Sequence, residues 1–310
     1  MILDLGRILG RTFLICWRHR WLWLLGVFGG GGGLGLGLRG GVTYAPTPAR
    51  ITTFVQDYAL WLGVAVVVVL LLLIVGFAVT CIAVPASIWA GLMLDAGMPA
   101  TLRQAWGEGV RRFWVYLRLY LLRFLINLAL LLALGLLVTG GVALYGAVGR
   151  SRLVLLILVG VVLLIVLFAT YIVITFLLSW SERVVLILGV GALEALRKSA
   201  WLARHSFADT LILGIVMGLI VGVIGVVVGV AGILLTIPGA LVLVWGVTSG
   251  VLAIEIVGVL LSVVLGGGAF LLGAGFNGSL VQVAYALACR DLCQHHGLPL
   301  AGTASTAAAA

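Results

Sequence analysis

Between Asp57 and Asp95 the chain reads YALWLGVAVVVVLLLLIVGFAVTCIAVPASIWAGLML (Tyr58–Leu94), with no charged residue. An uncharged apolar stretch of more than about 18 residues is long enough to cross a bilayer. This one does not alternate apolar and polar positions, as the roughly ten-residue strands of a membrane barrel do. Helices and closed barrels are the two backbones that satisfy their own N–H and C=O groups in hydrocarbon. The stretch therefore reads as a transmembrane helix. It exceeds what a bilayer requires and contains Pro85, so a kink near Pro85 and a protruding end are expected.

The rest of the chain follows the same pattern. Of its 310 residues 64% are hydrophobic and 9% charged, against about 25% charged in soluble domains. The fold class is all-α: a polytopic membrane protein of about six transmembrane helices with two interfacial helices. The spans read as about Trp21–Leu38, Tyr58–Leu94, Trp114–Val138, Leu153–Trp180 and Ala208–Leu235, followed by a last one. The stretch Ala240–Ala288 is long for one crossing. It reads as a half-inserted segment near Leu241–Gly250, then a long helix ending near Cys289. Residues 1–20 (MILDLGRILGRTFLICWRHR) form an amphipathic helix rather than a signal peptide, since Asp4 and a stripe of Arg7, Arg11 and Arg18 run through them. Residues 21–292 make one transmembrane domain and 293–310 a flexible tail.

The net charge of +9 is topological and is not a nucleic-acid signature. Fourteen basic residues fall on the side of the N-terminus: four before Trp21, then Arg103, Arg111, Arg112, Arg118, Arg123, Arg183, Arg197, Lys198, Arg204 and Arg290. Four fall on the other side: Arg39, Arg50, Arg150 and Arg152. The positive-inside rule then makes both termini cytoplasmic. Arg111, Arg112, Arg118 and Arg123 lie where the third span starts and are expected to reach lipid phosphates.

The two linkers between spans resemble one another. Leu102-Arg103-Gln104-Ala105-Trp106 is followed by Gly109 four residues after Ala105, and Leu193-Glu194-Ala195-Leu196-Arg197 by Ser199 four residues after Ala195. Each lies between a span and its successor, as in a parallel internal repeat; any basic amphipathic linker gives a similar pattern. The segments LRQAWGEGVRRFWVYL (102–117), ALEALRKSAWLARHSF (192–207) and HRWLWLLG (19–26) resemble a broad family of uncharacterised six-span bacterial and archaeal membrane proteins. That family is related to the membrane domain attached to some glycerophosphodiester phosphodiesterases. The resemblance implies a helical membrane domain with long cytoplasmic-side helices, and the expected location is the bacterial plasma (inner) membrane. It transfers no catalytic residue, because in such phosphodiesterases the chemistry belongs to a separate soluble barrel.

Motifs for chemistry fail on context. Gly35-Leu36-Gly37-Leu38-Arg39-Gly40 has no strand before it, so it is not a dinucleotide loop. There is no Walker sequence, H-E-x-x-H or G-x-S-x-G, and the chain is read as not an enzyme. The histidines (His19, His205, His295, His296) lie at or beyond span ends, so none can ligate a mid-membrane haem or pigment; no cofactor is expected. Cys289, Cys293, His295 and His296 offer soft ligands close together, without a second cluster to complete a metal site. All four cysteines lie in or beside apolar helix and make no disulfide framework.

Two polar residues in the spans are candidate sites. Glu255, in VLAIEIVGVLL, is an ionisable group in a span, a functional-site candidate by default; a neutral or Arg-paired carboxyl is its structural alternative. Asn127 reads as an interhelical hydrogen-bonding group. Gly214, Gly218, Gly222, Gly225 and Gly229 in the fifth span, with Gly250, Gly258 and Ser262 in the last, form small-residue ridges suited to helix packing, within the chain or against another subunit. The function expected from these features is a non-enzymatic membrane scaffold or accessory subunit packing against lipids, other membrane proteins or itself. The alternative is a permease component with Glu255 in a proton or cation path.

Overall fold

The computed structural model describes residues 3–29, 59–147 and 153–301. Ten α-helices and no strand occur among them: α1 (Leu5–Arg18), α2 (Trp21–Gly29), α3 (Ala59–Asp95), α4 (Leu102–Arg111), α5 (Phe113–Ala147), α6 (Leu153–Leu188), α7 (Ala192–His205), α8 (Phe207–Ser249), α9 (Leu252–Ser262) and α10 (Gly268–His295). A π-helical turn, Val263–Gly267, joins α9 to α10. The helices α3, α5, α6, α8 and the joined α9–α10 are long and apolar enough to cross a membrane. The protein is an all-α, multi-pass membrane protein. Of the first span, Trp21–Gly29 is helical, and the remainder lies outside the described residues.

Local chemistry sets the helix ends. Asp4 caps α1 by accepting the Arg7 N–H at 3.1 Å. Thr101 and Gln104 form a reciprocal capping box on α4, which satisfies two orphan N–H groups at once. Gly97 and Gly189 adopt φ near +73° and +66°, a left-handed conformation costly for residues with a Cβ. These glycines end α3 and α6.

Three boundaries differ from the sequence reading. Helix α6 runs on past Trp180 to Leu188, because Ser181–Leu188 are buried; the interfacial helix is Ala192–His205 alone. The chain does not leave the helix at Pro238. It continues to Ser249, giving a 43-residue α8, so residues 241–249 belong to this helix rather than to a separate segment. Gly250 at φ 68° then turns the chain into α9, and the last helix ends at His295 rather than near Cys289. Helix α3 likewise stays continuous through Pro85. The residues just after α10 also pack: the Ala301 N–H bonds to the Ile187 carbonyl at 2.8 Å, and Leu298 and Leu300 lie against the core.

The packed core occupies one end of the bundle, the end bearing the described basic residues. It combines Cys81–Leu92 of α3, Tyr116 and Leu119 of α5, Trp180–Leu188 of α6, Leu213 and Met217 of α8, and Leu280–Cys293 of α10. α1 and the short helices α4 and α7 complete it. The two linkers follow one plan. Ala105 and Gly109 bury α4 against α3, and Ala195 and Ser199 bury α7 against α6, where the Ser199 hydroxyl donates to the Leu177 carbonyl at 3.3 Å. Helix α1 docks on α10 through Ile8, Thr12, Ile15 and Cys16, and Phe13 meets Phe276 edge-on at 5.8 Å. Away from this end the helices are largely exposed, apart from the contact of α8 with α9; no residue of the most apolar stretch of α5 is buried.

Glycine brings helices close at particular crossings. A Cβ on Gly26 would lie 2.0 Å from the Gly275 carbonyl oxygen, one on Gly258 2.4 Å from the Leu243 nitrogen, and one on Gly239 2.5 Å from the Ser262 nitrogen. Gly218, Gly222, Gly225 and Gly229 have nothing within 4 Å of that position. The α8–α9 hairpin thus packs through Gly239, Gly246, Gly258 and Ser262, and the α8 ridge from Gly218 to Gly229 contacts no helix so closely. We predict that Gly258→Ala lowers thermal stability in detergent by about 1–3 kcal/mol, because backbone cannot yield to the new methyl. Gly222→Ala should leave stability unchanged or raise it by up to about 1 kcal/mol.

All four cysteines are buried, and burial pushes the Cys16 thiol up to about 11. At pH 7 only about one such thiol in ten thousand is thiolate, the reactive form. Maleimide at pH 7 should therefore leave Cys16 unmodified in the folded protein and label it after denaturation, read by peptide mass mapping.

Candidate functional site

A polar cavity lies where the packed end opens into the exposed one. Its centre is Glu182, 5% exposed, next to Arg183, 2% exposed. Helix α6 must carry both inward at this level because Ser181–Leu188 is buried on all sides. A buried charge is tolerated when paired and hydrogen-bonded, and two other helices, α5 and α10, supply partners. From α5, Arg123 Nη1 donates to Glu182 Oε1 at 3.1 Å. Arg183 Nη1 stands 3.7 Å from Glu182 Oε2. From α10, Gln282 Oε1 accepts from Arg183 Nη2 at 2.9 Å. The Gln282 amide in turn donates to the carbonyl of Gly29, the last residue of α2. Arg183 Nη1 also donates to Ser179 Oγ at 2.8 Å, and the Tyr285 ring lies 5.2 Å from Arg183 Cζ, within cation–π range. The Tyr116 hydroxyl donates to the Glu182 carbonyl.

Arg123 with Glu182, Arg183 and Gln282 lines a cavity of about 330 Å³, together with Phe28, Phe77, Thr80 and Tyr120. Phe28, Phe77 and Thr80 also line a second cavity, about 1260 Å³ and almost wholly apolar. The two adjoin.

No protein-family model, characterised protein or solved structure matches the chain.

Of the sequence candidates, Arg123 belongs to this site, turned inward to a carboxylate and one-third exposed. Arg112 pairs with Glu108 at 2.8 Å and Arg111 with the same residue at 3.6 Å; Arg118 is exposed. Asn127 lines a separate gap of about 260 Å³ between α5 and α6. Glu255 lies near the tip of the α8–α9 hairpin, with its backbone against Gly246, remote in sequence from any other charge. Gly214 approaches the Tyr285 hydroxyl. Gly225 borders a gap of about 220 Å³ between α8 and α10. Among the described residues no group of three or more His, Cys, Asp or Glu side chains could hold a metal. His296 instead meets the buried Ser206 hydroxyl at 2.8 Å, tying the end of α10 to the α7–α8 elbow.

Glu182, Arg183 and Gln282 form the centre that sequence reasoning did not assemble. The available signal was Ser181-Glu182-Arg183 directly after an uninterrupted apolar run, which reads equally well as the end of a span. Removing the carboxylate leaves a buried guanidinium beside a second one. We therefore expect Glu182→Gln to cost about 3–5 kcal/mol of stability. Arg123→Gln should cost about 1 kcal/mol or less, since Arg123 keeps solvent access and Arg183 still faces Glu182. Thermal unfolding of the two purified variants checks the ranking.

Proposed function

We propose that the protein is a non-enzymatic membrane scaffold or accessory subunit, which packs through its exposed helix faces against lipids and against other membrane proteins or a second copy. One observation carries this reading: the long helices are held together at one end and leave their apolar faces open along the rest. Leu72 is 63% exposed, Leu136 73% and Val226 67%. Such faces gain van der Waals contact from any smooth apolar neighbour. The open glycines at 218, 222, 225 and 229 offer a place where another helix can approach closely. We take the basic end as cytoplasmic on the positive-inside rule, in the inner membrane of a bacterium, in keeping with the resemblance of residues 19–26, 102–117 and 192–207.

The second reading, a permease component, is favoured by Glu255, an acidic group in a hairpin otherwise free of charge from Thr210 to Cys289. A flux in proteoliposomes that Glu255→Gln abolishes would establish that reading and remove the first.

Mild-detergent purification, with crosslinking of intact membranes beforehand, is expected to recover a stoichiometric partner or a dimer; a lone monomer under both conditions overturns the scaffold reading. Orientation is tested with a cysteine-free background. A cysteine introduced at exposed Gln294 should react with a membrane-impermeant maleimide after permeabilisation alone, and one at Ser249, at the hairpin tip, in intact cells.

A further inference from the structure

The polar and apolar cavities together have the form of an amphiphile site. The apolar one is walled by Leu24 of α2, Leu73 and Ile74 of α3, Phe124 of α5 and Phe270 of α10. At about 1260 Å³ it exceeds the ~300–1,000 Å³ of most small-molecule sites. It has room for paired alkyl chains. The smaller cavity adjoins it through Phe28, Phe77 and Thr80 and holds two guanidinium groups against one carboxylate. Its local charge is therefore one positive unit. The Arg123 guanidinium keeps one-third exposure. Arg183 is buried, yet its Nε has no hydrogen-bond partner. A buried donor left unpaired is costly, and an acceptor entering the cavity lined by Arg183 could relieve it.

The depth of the site matches a lipid headgroup. From Arg123 to the end of α5 at Ala147 no residue is charged. That segment rises roughly 36 Å at ~1.5 Å per residue, close to the ~30 Å hydrocarbon thickness of a bilayer. Helix α6 is uncharged from Leu153 to Ser181. With the uncharged lengths of both helices in hydrocarbon, Arg123, Glu182 and Arg183 stand at one headgroup boundary. The apolar cavity then extends alongside α3 into the acyl region.

We infer that this pair of cavities binds one anionic phospholipid, with its monoanionic phosphodiester on Arg123 and Arg183 and its acyl chains between α2, α3 and α10. Charge-assisted bonds to phosphate are the strong ones. The apolar walls add area without demanding a particular chain. The inference rests on the lipid-contacting part of the proposed function and not on a protein partner.

The test uses the full chain reconstituted in vesicles of phosphatidylglycerol and phosphatidylcholine in equal amounts with added oleate. Extraction in mild detergent and native mass spectrometry then count what stays bound. The wild type should retain one phosphatidylglycerol per chain, in preference to the other two. Arg123→Gln should lower that retention about ten-fold, and Arg123→Lys should restore most of it. Leu73→Trp, at a position that faces the apolar cavity, should lower it without touching the charges. Arg103→Gln, at an exposed position of α4, should leave it unchanged. Equal retention of phosphatidylcholine, preferential retention of oleate, or retention indifferent to both Arg123→Gln and Leu73→Trp overturns the inference. A lone monomer that still retains phosphatidylglycerol would remove the protein-partner reading and leave this one standing.

Discussion

A guanidinium excluded from water must be surrounded by acceptors or counter-charge, and Arg183 imposes that requirement on the bundle. It is among the largest fully buried side chains in the protein. Its neighbours come from α6 itself through Glu182 and Ser179, and from α10 through Gln282 and Tyr285. Glu182 draws in Arg123 of α5, and Gln282 fixes the end of α2. Four helices thus converge on one charged side chain. A second group of charges stands further along the same end: Asp95 of α3 forms an ion pair with Arg290 at 2.9 Å and accepts from Arg11 of α1 at 3.2 Å. Between the two groups lies the apolar core. Losing a partner in such a cluster costs far more than the cluster contributes as a whole.

The same arrangement explains why the two ends of the molecule differ. Side chains at the basic end meet one another because some of them are polar and must be satisfied, and because small residues such as Gly26, Gly109 and Gly275 allow backbones to touch. At the other end the helices are uniformly apolar. Lipid is as good a neighbour there as protein, and no hydrophobic force draws the helices together. Length reinforces the contrast. A 43-residue helix such as α8 rises roughly 65 Å, about twice the hydrocarbon thickness. The core of α3, α5, α6, α8 and α10 is therefore built largely from the parts of these helices next to the charges.

Much of this was legible in the sequence. The runs that became α3, α5, α6 and α8 were visible from charge-free length, and the two linker helices from their amphipathic pattern. The Ala105/Gly109 and Ala195/Ser199 pairs were visible from four-residue spacing. Less legible were features that depend on what lies opposite. The fifth span read as ending near Leu235, yet α8 continues through Pro238 to Ser249, with α9 packed alongside at Gly239 and Gly246. The glycines chosen by periodicity on α8 were mostly not those in the tight crossings. Periodicity shows which face is small and says nothing of what meets it. Arg123 read as a residue reaching for lipid phosphate, since its partner Glu182 is 59 residues away.

What the sequence by itself determined is the covalent and local part: all-helical spans, their approximate limits and the sorting of charge. Hydrocarbon forces each segment to satisfy its own backbone bonds within a few residues, so apolar length suffices to predict a helix. The tertiary structure decided which polar groups share a cavity, which glycines touch, and where a packed end gives way to an open one. Those choices join residues 59, 99 and 253 positions apart. Side-chain hydrogen bonds and ion pairs act over a few ångströms of space, whatever the distance along the chain.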